Sequence, residues 1–394
     1  MKTSPINTSL THLPQGAFND FFKILGAFLF SRLWTALFVY IGNAHAPVRI
    51  QDSQTWMGVS QAWLNPWTLY DTEWYLKIAR SGYDAVSTVF FPLYPALLSL
   101  AGPGDIGMSF WGVILSQIFF LGGLYYLYRL TVLDFGEGVA RTAVFLLAFF
   151  PTTAFFSAVY TESLFLFLSV SAFYYVRKRG WGRAGLLAGL AGLTRNSGWI
   201  LWIMLVVEYF QYIRREKKPV KGLDLLAVSL PLAAFAGVMI YFGVRFGALG
   251  VGVESQQYFF RSWAWPWTPV LKDLFISVPF FMSSGLDLFI TLLNWVAIFW
   301  VIGLLVQYRK ATPISYAVYL LCILMMHLCN ARIVPPYTIG SVRYLASTFP
   351  FIQLFAKSTE KIQWATSLKF LALLFYLFIS AALSYLFGFK LFLG

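Results

Sequence analysis

The sequence predicts an all-α protein that crosses a membrane many times, and three observations predict it. Of its 394 residues, 59% are hydrophobic and only 11% are charged, whereas soluble domains carry about one quarter charged residues. Apolar runs recur at about the twenty residues that a helix needs to cross hydrocarbon. These runs are too long and too uniformly apolar for barrel strands, and a backbone in hydrocarbon must satisfy its own hydrogen bonds.

The runs fall near 18–41, 108–130, 139–155, 162–176, 183–194, 197–213, 224–245, 285–307, 314–329, 342–357 and 367–388. They predict about eleven transmembrane helices in a single membrane domain, 1–394, although several are shorter than a full span. The 183–194 and 197–213 pair reads as one bent or partial pair, tolerated only where it lines a protein or water cavity. The N-terminal residues lack a short apolar core followed by a small-residue cleavage site, so the first helix is expected to serve as the insertion signal.

Basic turns set the orientation. Arg177, Lys178, Arg179 and Arg183 form one cluster, and Arg214, Arg215, Lys217, Lys218 and Lys221 form another. Arg309 with Lys310, and Lys357 with Lys361, complete the set. A cytoplasmic N-terminus puts all of them on the cytoplasmic side of a multi-pass cell membrane. Most of the net charge of +13 is then orientation charge, and no nucleic-acid partner is expected. Cys322 and Cys329 lie two helical turns apart, about 10 Å, beyond disulfide reach. His12, His45 and His327 have no metal-ligand spacing, so no metal or other cofactor is expected.

This topology leaves two long extracytoplasmic loops, 42–107 and 246–284, and a shorter one, 330–341. In the first, Trp56, Val59 and Trp63 recur at helical spacing, as do Trp74, Ile78 and Ser81 beside Tyr75, Ala79 and Gly82. Both stretches read as short helices lying in the interface, with Gly82 ending the second. Glu73 and Lys77 are spaced as a surface ion pair. Asp71 stands at the head of the second helix. It can cap that helix. A partly desolvated carboxylate at the lipid boundary can also serve as a general base.

Other polar residues face the same side. Thr161 can cap the helix that Glu162 opens, yet a carboxylate at membrane depth usually marks a site. Arg195 sits at the helix break, where Thr194, Asn196 and Ser197 can cap the next helix. It can hold a phosphate or pair internally with Glu162. Arg343 can snorkel to headgroups or clamp a lipid phosphate. The segment QQYFFRSWAWPWTP brings Gln256, Gln257 and Arg261 among tryptophans that suit an interfacial belt or a sugar-stacking wall. A carboxylate, several arginines and aromatic walls such as Trp74 and Tyr75 fit chemistry on a lipid-phosphate sugar donor.

Four motifs carry a family likeness. YDTEWYLKIARSGYD followed by FFPLYP, then FFPTTAFFSAVYTESLFLFLS, then AGLLAGLAGLTRNSGWILW and the late SVRYLASTFPF resemble, in order, those of the PIG-V-type mannosyltransferases. The resemblance covers most of the chain and departs where Tyr70 stands in place of the usual Trp before the family's Asp. It implies a GT-C-like helical bundle, a polyprenyl-phosphate sugar donor, commonly of mannose, and an acceptor hydroxyl on the extracytoplasmic side. Asp71 then takes the catalytic role, while Glu162, Arg195, Arg343, Arg261, Trp74, Tyr75 and Gln257 bind substrate or phosphate. The compact chain points to a bacterial homologue, whose acceptor (glycan, lipid or protein) the motifs leave open. A transporter or flippase of a lipid-linked sugar and a non-catalytic lipid-glycan-binding subunit are the competing readings.

Overall fold

A computed structural model describes residues 15–46, 61, 63–248, 250–282, 284–360 and 366–391. Every predicted apolar run is helical in whole or in part. In chain order the helices that matter are α1 (Gln15–His45), α2 (Thr72–Ser81), α3 (Leu93–Ser99), α4 (Asp105–Phe135), α5 (Glu137–Ala148), α6 (Glu162–Arg177), α7 (Trp181–Gly192) and α8 (Ile200–Glu216). Next come α9 (Gly222–Phe246), α10 (Gly285–Gln307), α11 (Ile314–Cys329), α12 (Ser341–Ala346), α13 (Phe349–Glu360) and α14 (Thr366–Gly388). Among the described residues, α1, α4, α9, α10 and α14 are long and apolar enough to cross a membrane. The shorter apolar helices surround or complete the core between them.

Two runs stop early for local reasons. The 139–155 run ends as helix at Ala148, just before Pro151, and continues as irregular chain to Thr161. The 342–357 run divides into α12 and α13. The break falls before Pro350, which occupies the first turn of α13, where its missing N–H costs no hydrogen bond.

The bundle is built around α6. Leu164, Phe165, Leu166, Leu168 and Phe173 are all buried, and α4 and α7 pack directly on this helix. Outer helices turn apolar side chains outward, as Leu33, Val244 and Phe375 do; that face suits hydrocarbon. Small residues bring the helix pairs close. A Cβ on Gly185 of α7 would stand 2.0 Å from the carbonyl oxygen of Ala227 in α9, so only glycine permits this crossing.

The basic turns collect at one end of the bundle. Arg177 at the end of α6 pairs with Asp134 near the end of α4 at 2.7 Å, and Arg179 pairs with Glu216 at the end of α8 at 2.6 Å. The loops at the opposite end are tied to one another by backbone hydrogen bonds. Val159 N–H donates to Trp67 O (3.0 Å), Leu93 N–H to Leu193 O (2.9 Å) and Ala264 N–H to Cys329 O (2.8 Å). Two loops that looked separate also pair as a ribbon: β1 (Arg261–Trp263) runs antiparallel to β2 (Asn330–Arg332), with Arg261 opposite Arg332.

The second helix expected in the first loop is α2, and it ends where Gly82 adopts a φ of 79° and its N–H returns to Ile78 O. The first one rests on Trp56 and Val59, which lie outside the described residues. The expected Glu73–Lys77 pair does not form. The chain turns at Gly82 and brings Asp84 within 2.6 Å of Lys77, which leaves Glu73 to face inward.

Candidate active site

The cavity at the loop end has a volume of about 460 Å³, within the range of small-ligand sites. Asp71, Trp74, Tyr75, Arg195, Arg261 and Arg343 all line it. These residues come from separate stretches of chain. Glu162 lies directly beneath, 1% exposed, and joins two of the arginines.

Asp71 is placed by its backbone. Tyr70 before it adopts a left-handed φ of 51°, a costly conformation for a bulky residue. The buried Tyr160 hydroxyl donates to Leu69 O at 2.9 Å and accepts from Asp71 N–H at 3.3 Å. Thr72 Oγ1 donates to Val159 O at 3.2 Å. The irregular chain after α5 thus serves as the mould for the start of α2. The Asp71 carboxylate makes no capping bond to α2. It turns instead to Arg343, whose Nη2 donates to Oδ2 at 3.1 Å, and its side chain stays 26% exposed.

Glu162 is the hinge of the charged cluster. Its Oε1 accepts from Arg343 Nε at 2.7 Å and lies 2.9 Å from Arg195 Nη1. That second contact is an ion pair without hydrogen-bond alignment, and Oε2 finds no hydrogen-bond partner among the described residues. Arg343 is 5% exposed and sits over the rings of Phe155 (4.4 Å) and Tyr160 (4.8 Å). It therefore does not snorkel: the carboxylates and aromatic faces hold it inside. Arg195 lies 5.4 Å from the Tyr344 ring and 5.9 Å from the Phe165 ring. Nor do the expected caps form. Thr161 makes no capping bond, and neither do the side chains before Asn196–Trp199 or α8. Thr194 Oγ1 bonds back to Leu190 O at 2.8 Å.

Aromatic side chains wall the cavity. Trp74 stacks on Phe90 at 5.9 Å, with the edge of Phe259 at 5.3 Å. Tyr75 is wedged edge-on between Phe90 and Tyr94, its hydroxyl 3.5 Å from Thr161 Oγ1. Burial, reinforced by the negative charges of Asp71 and Glu162, raises the Tyr75 phenol well above its ordinary value, so it remains protonated. Burial also raises the Glu73 carboxyl, with Lys77 opposing. Gln257 does not belong to the wall. It is exposed, and its neighbour Gln256 lines the cavity and accepts from Asn330 Nδ2 at 3.1 Å.

Sequence reasoning missed several lining residues. His327 hides in the apolar run of α11, and its Nε2 lies 2.9 Å from Ser341 Oγ. Arg332 lines the cavity only because β2 pairs with β1. Asp273, fully buried, supports the wall from behind. Its carboxylate accepts from Tyr337 N–H (2.7 Å), Thr338 N–H (3.0 Å), Thr338 Oγ1 and Ser277 Oγ. It thereby fixes the turn that leads into α12 and Arg343. Among the described residues, no group of three His, Cys, Asp or Glu could together hold a metal ion.

No family model matches the chain. It is similar to GPI alpha-1,6-mannosyltransferase 2 of Rattus norvegicus, 30% identical over 218 residues that cover 49% of this chain and 44% of that protein. The matched stretch is thus less than half of the relative's own length. The likeness to PIG-V-type mannosyltransferases carried by the motifs is borne out. Among solved structures, the oligosaccharyltransferase of Archaeoglobus fulgidus, tethered with an acceptor peptide, matches with a TM-score of 0.50 and 14% identity. The match covers 95% of this chain and 56% of that one. At that identity the likeness concerns the fold, and it bears out a GT-C-like, all-helical, polytopic membrane bundle.

Proposed function

We propose that this relative of the PIG-V-type mannosyltransferases is an integral-membrane glycosyltransferase. It moves a sugar, mannose by the family likeness, from a polyprenyl-phosphate donor to an acceptor hydroxyl. The reaction takes place on the face opposite the basic turns, extracytoplasmic if the N-terminus is cytoplasmic. One observation carries the reading: a carboxylate free of capping duty, Asp71, faces a charged and aromatic cavity at that end of the bundle.

The chemistry is a single inverting displacement. The acceptor oxygen forms a bond to the anomeric carbon while the bond from that carbon to the phosphate oxygen breaks. The electron pair of the broken bond leaves with the polyprenyl phosphate, and the hydroxyl proton passes to Asp71. Arg343 holds one oxygen of Asp71 and so leaves the other for the proton. Glu162 keeps Arg343 and Arg195 in place beside it. Trp74 and Tyr75 supply faces against which a sugar ring can stack, and the scheme routes no step through a metal.

The deciding experiment is transfer by purified protein from a polyprenyl-phosphate-linked sugar. Asp71→Asn should lower turnover by about 10²–10⁴-fold while the protein keeps its melting temperature. Near-normal turnover in a folded Asp71→Asn variant would rule out the base.

A further inference from the structure

Among the cavity's arginines, two are held by acid and two are not. Arg195 and Arg343 both lean on Glu162, and Arg343 also holds Asp71. Arg261 and Arg332 have no carboxylate within ion-pairing distance among the described residues, yet they occupy directly opposed positions of the β1–β2 ribbon. Opposed residues of an antiparallel pair project from the same face. Like charges there repel, and nothing local compensates. Both side chains are half-buried and both line the cavity. Burial and the proximity of Arg261 press the Arg332 guanidinium below its ordinary value, as a cation lacking its counter-ion should be.

The geometry around the pair is ordered. Arg261 Nη1 donates to Asn330 O at 3.1 Å, which fixes one guanidinium and leaves its other N–H groups directed elsewhere. Asn330 in turn is held by Gln256. Arg332 also edges a second cavity of about 250 Å³, together with Trp263, Trp265 and Lys272. Trp263, Trp265 and Trp267 are 67%, 56% and 57% exposed, an apolar ledge beside the cations.

We propose that Arg261 and Arg332 form the phosphate clamp of the cavity, binding the anionic head of a lipid-borne phosphate whose isoprenoid chain runs over the Trp263–Trp267 ledge. Two guanidiniums on one face offer parallel N–H donors to phosphate oxygens, the geometry that arginine serves better than lysine. The clamp rests on the glycosyltransferase reading and divides its labour: Arg195 and Arg343 organise the carboxylates, and Arg261 and Arg332 take the substrate's charge.

The test is binding of farnesyl phosphate to the full-length protein in phosphatidylcholine nanodiscs, with farnesol as the uncharged control. Arg261→Gln and Arg332→Gln should each weaken farnesyl phosphate about tenfold or more and leave farnesol unchanged. The Arg261→Lys/Arg332→Lys double variant keeps the charge, guards against misfolding, and should recover part of the loss. Unchanged farnesyl phosphate binding in both Gln variants would overturn the clamp. The same phosphate chemistry could come from a bilayer headgroup. If phosphatidylglycerol nanodiscs displace farnesyl phosphate, the substrate assignment fails and the pair is a headgroup site.

Because binding needs no transfer, the two ideas fail separately. Lost binding in Arg332→Gln with no sugar transfer by the unsubstituted protein would retire the proposed reaction and keep the clamp. The reverse result would retire the clamp alone.

Discussion

Two buried ionic clusters, one at each end of the bundle, use the same residue types to different ends. At the basic end, Arg177 bonds Asp134 at 2.7 Å and pairs with Glu208 at 2.9 Å. Tyr316 donates to the other oxygen of Asp134 and Ser315 donates to Glu208. The cluster ties α4, α6, α8 and α11 together and none of its members lines the cavity. At the loop end, Glu162 keeps one oxygen without a hydrogen-bond partner among the described residues, Arg195 is poorly aligned, and Asp71 stays partly exposed. The cluster at the basic end is closed by hydroxyls; the one at the loop end opens on the cavity. What separates a staple from a site is therefore left-over bonding capacity beside a cavity, since both contain arginine and carboxylates.

The largest contrast comes from removing the central arginine of each cluster. Arg177→Met and Arg343→Met each strand buried carboxylates, and each should destabilise by about 3–5 kcal/mol. Only Arg343→Met should also cost turnover per folded molecule, by about 100-fold, because it frees Asp71 and disturbs the charge beside it. Thermal melts in detergent, with transfer rates normalised to folded protein, separate the two. Equal retention of turnover in both variants would erase the distinction between the clusters.

A smaller effect is expected behind the wall. Asp273→Asn removes a charge that four donors share, a loss of about 1.5–3 kcal/mol. Its carboxylate touches no cavity space, so it acts by position. Turnover should fall, because the turn that carries Arg343 loosens, while affinity for farnesyl phosphate, which the β1–β2 arginines serve, should stay unchanged. If affinity falls in step with turnover, Asp273 supports the whole cavity and not the Arg343 end alone.

Next is Tyr160→Phe. The hydroxyl it removes bridges Leu69 O and Asp71 N–H, and the variant should lose about 1 kcal/mol of stability. Turnover should fall about tenfold, because Asp71 loses the restraint that orients it. The matching change at the basic end, Tyr316→Phe, should cost similar stability and no turnover per folded molecule.

The contrast also explains what could be read from the sequence. Helices were legible because apolar length is sufficient to specify them, and the break before Arg195 because α7 and α8 are each too short to span. Asp71, Glu162, Arg195 and Arg343 stood out because charge in apolar surroundings is conspicuous. The Arg195–Glu162 pair was legible as one of two readings, but the links of Arg343 to Glu162 and Asp71 were not, since they join α12 to α6 and to the head of α2 through three-dimensional contacts alone. Arg332 and Gln256 depended on a two-stranded ribbon with no periodic signature, and His327 sat inside an apolar run. The capping expectations for Asp71 and Thr161 failed because both backbones are already helical (φ −59°, ψ −22° and φ −85°, ψ −8°), whereas a capping residue is extended.

A third pair, exposed at the loop end, gives the smallest effect and the control for the other two. Lys77 and Asp84 lie 2.6 Å apart with side chains 39% and 46% exposed. Burial pushes the Asp84 carboxyl up, but hydrogen bonds from Lys77 and Ser87 outweigh it and hold the group at about 2 against an ordinary 3.8. A depressed carboxyl contributes stability that is fully present above the unfolded value and is lost as pH falls through the folded one. Exposure and screening keep that contribution below about 1 kcal/mol. Asp84→Asn should therefore narrow its Tm deficit against the unsubstituted protein as pH falls from 4 to 2, and the deficit should shrink with added salt. A deficit as large as those of Arg177→Met and Arg343→Met, or one that ignores salt, would mean that burial is not what makes the two inner clusters strong.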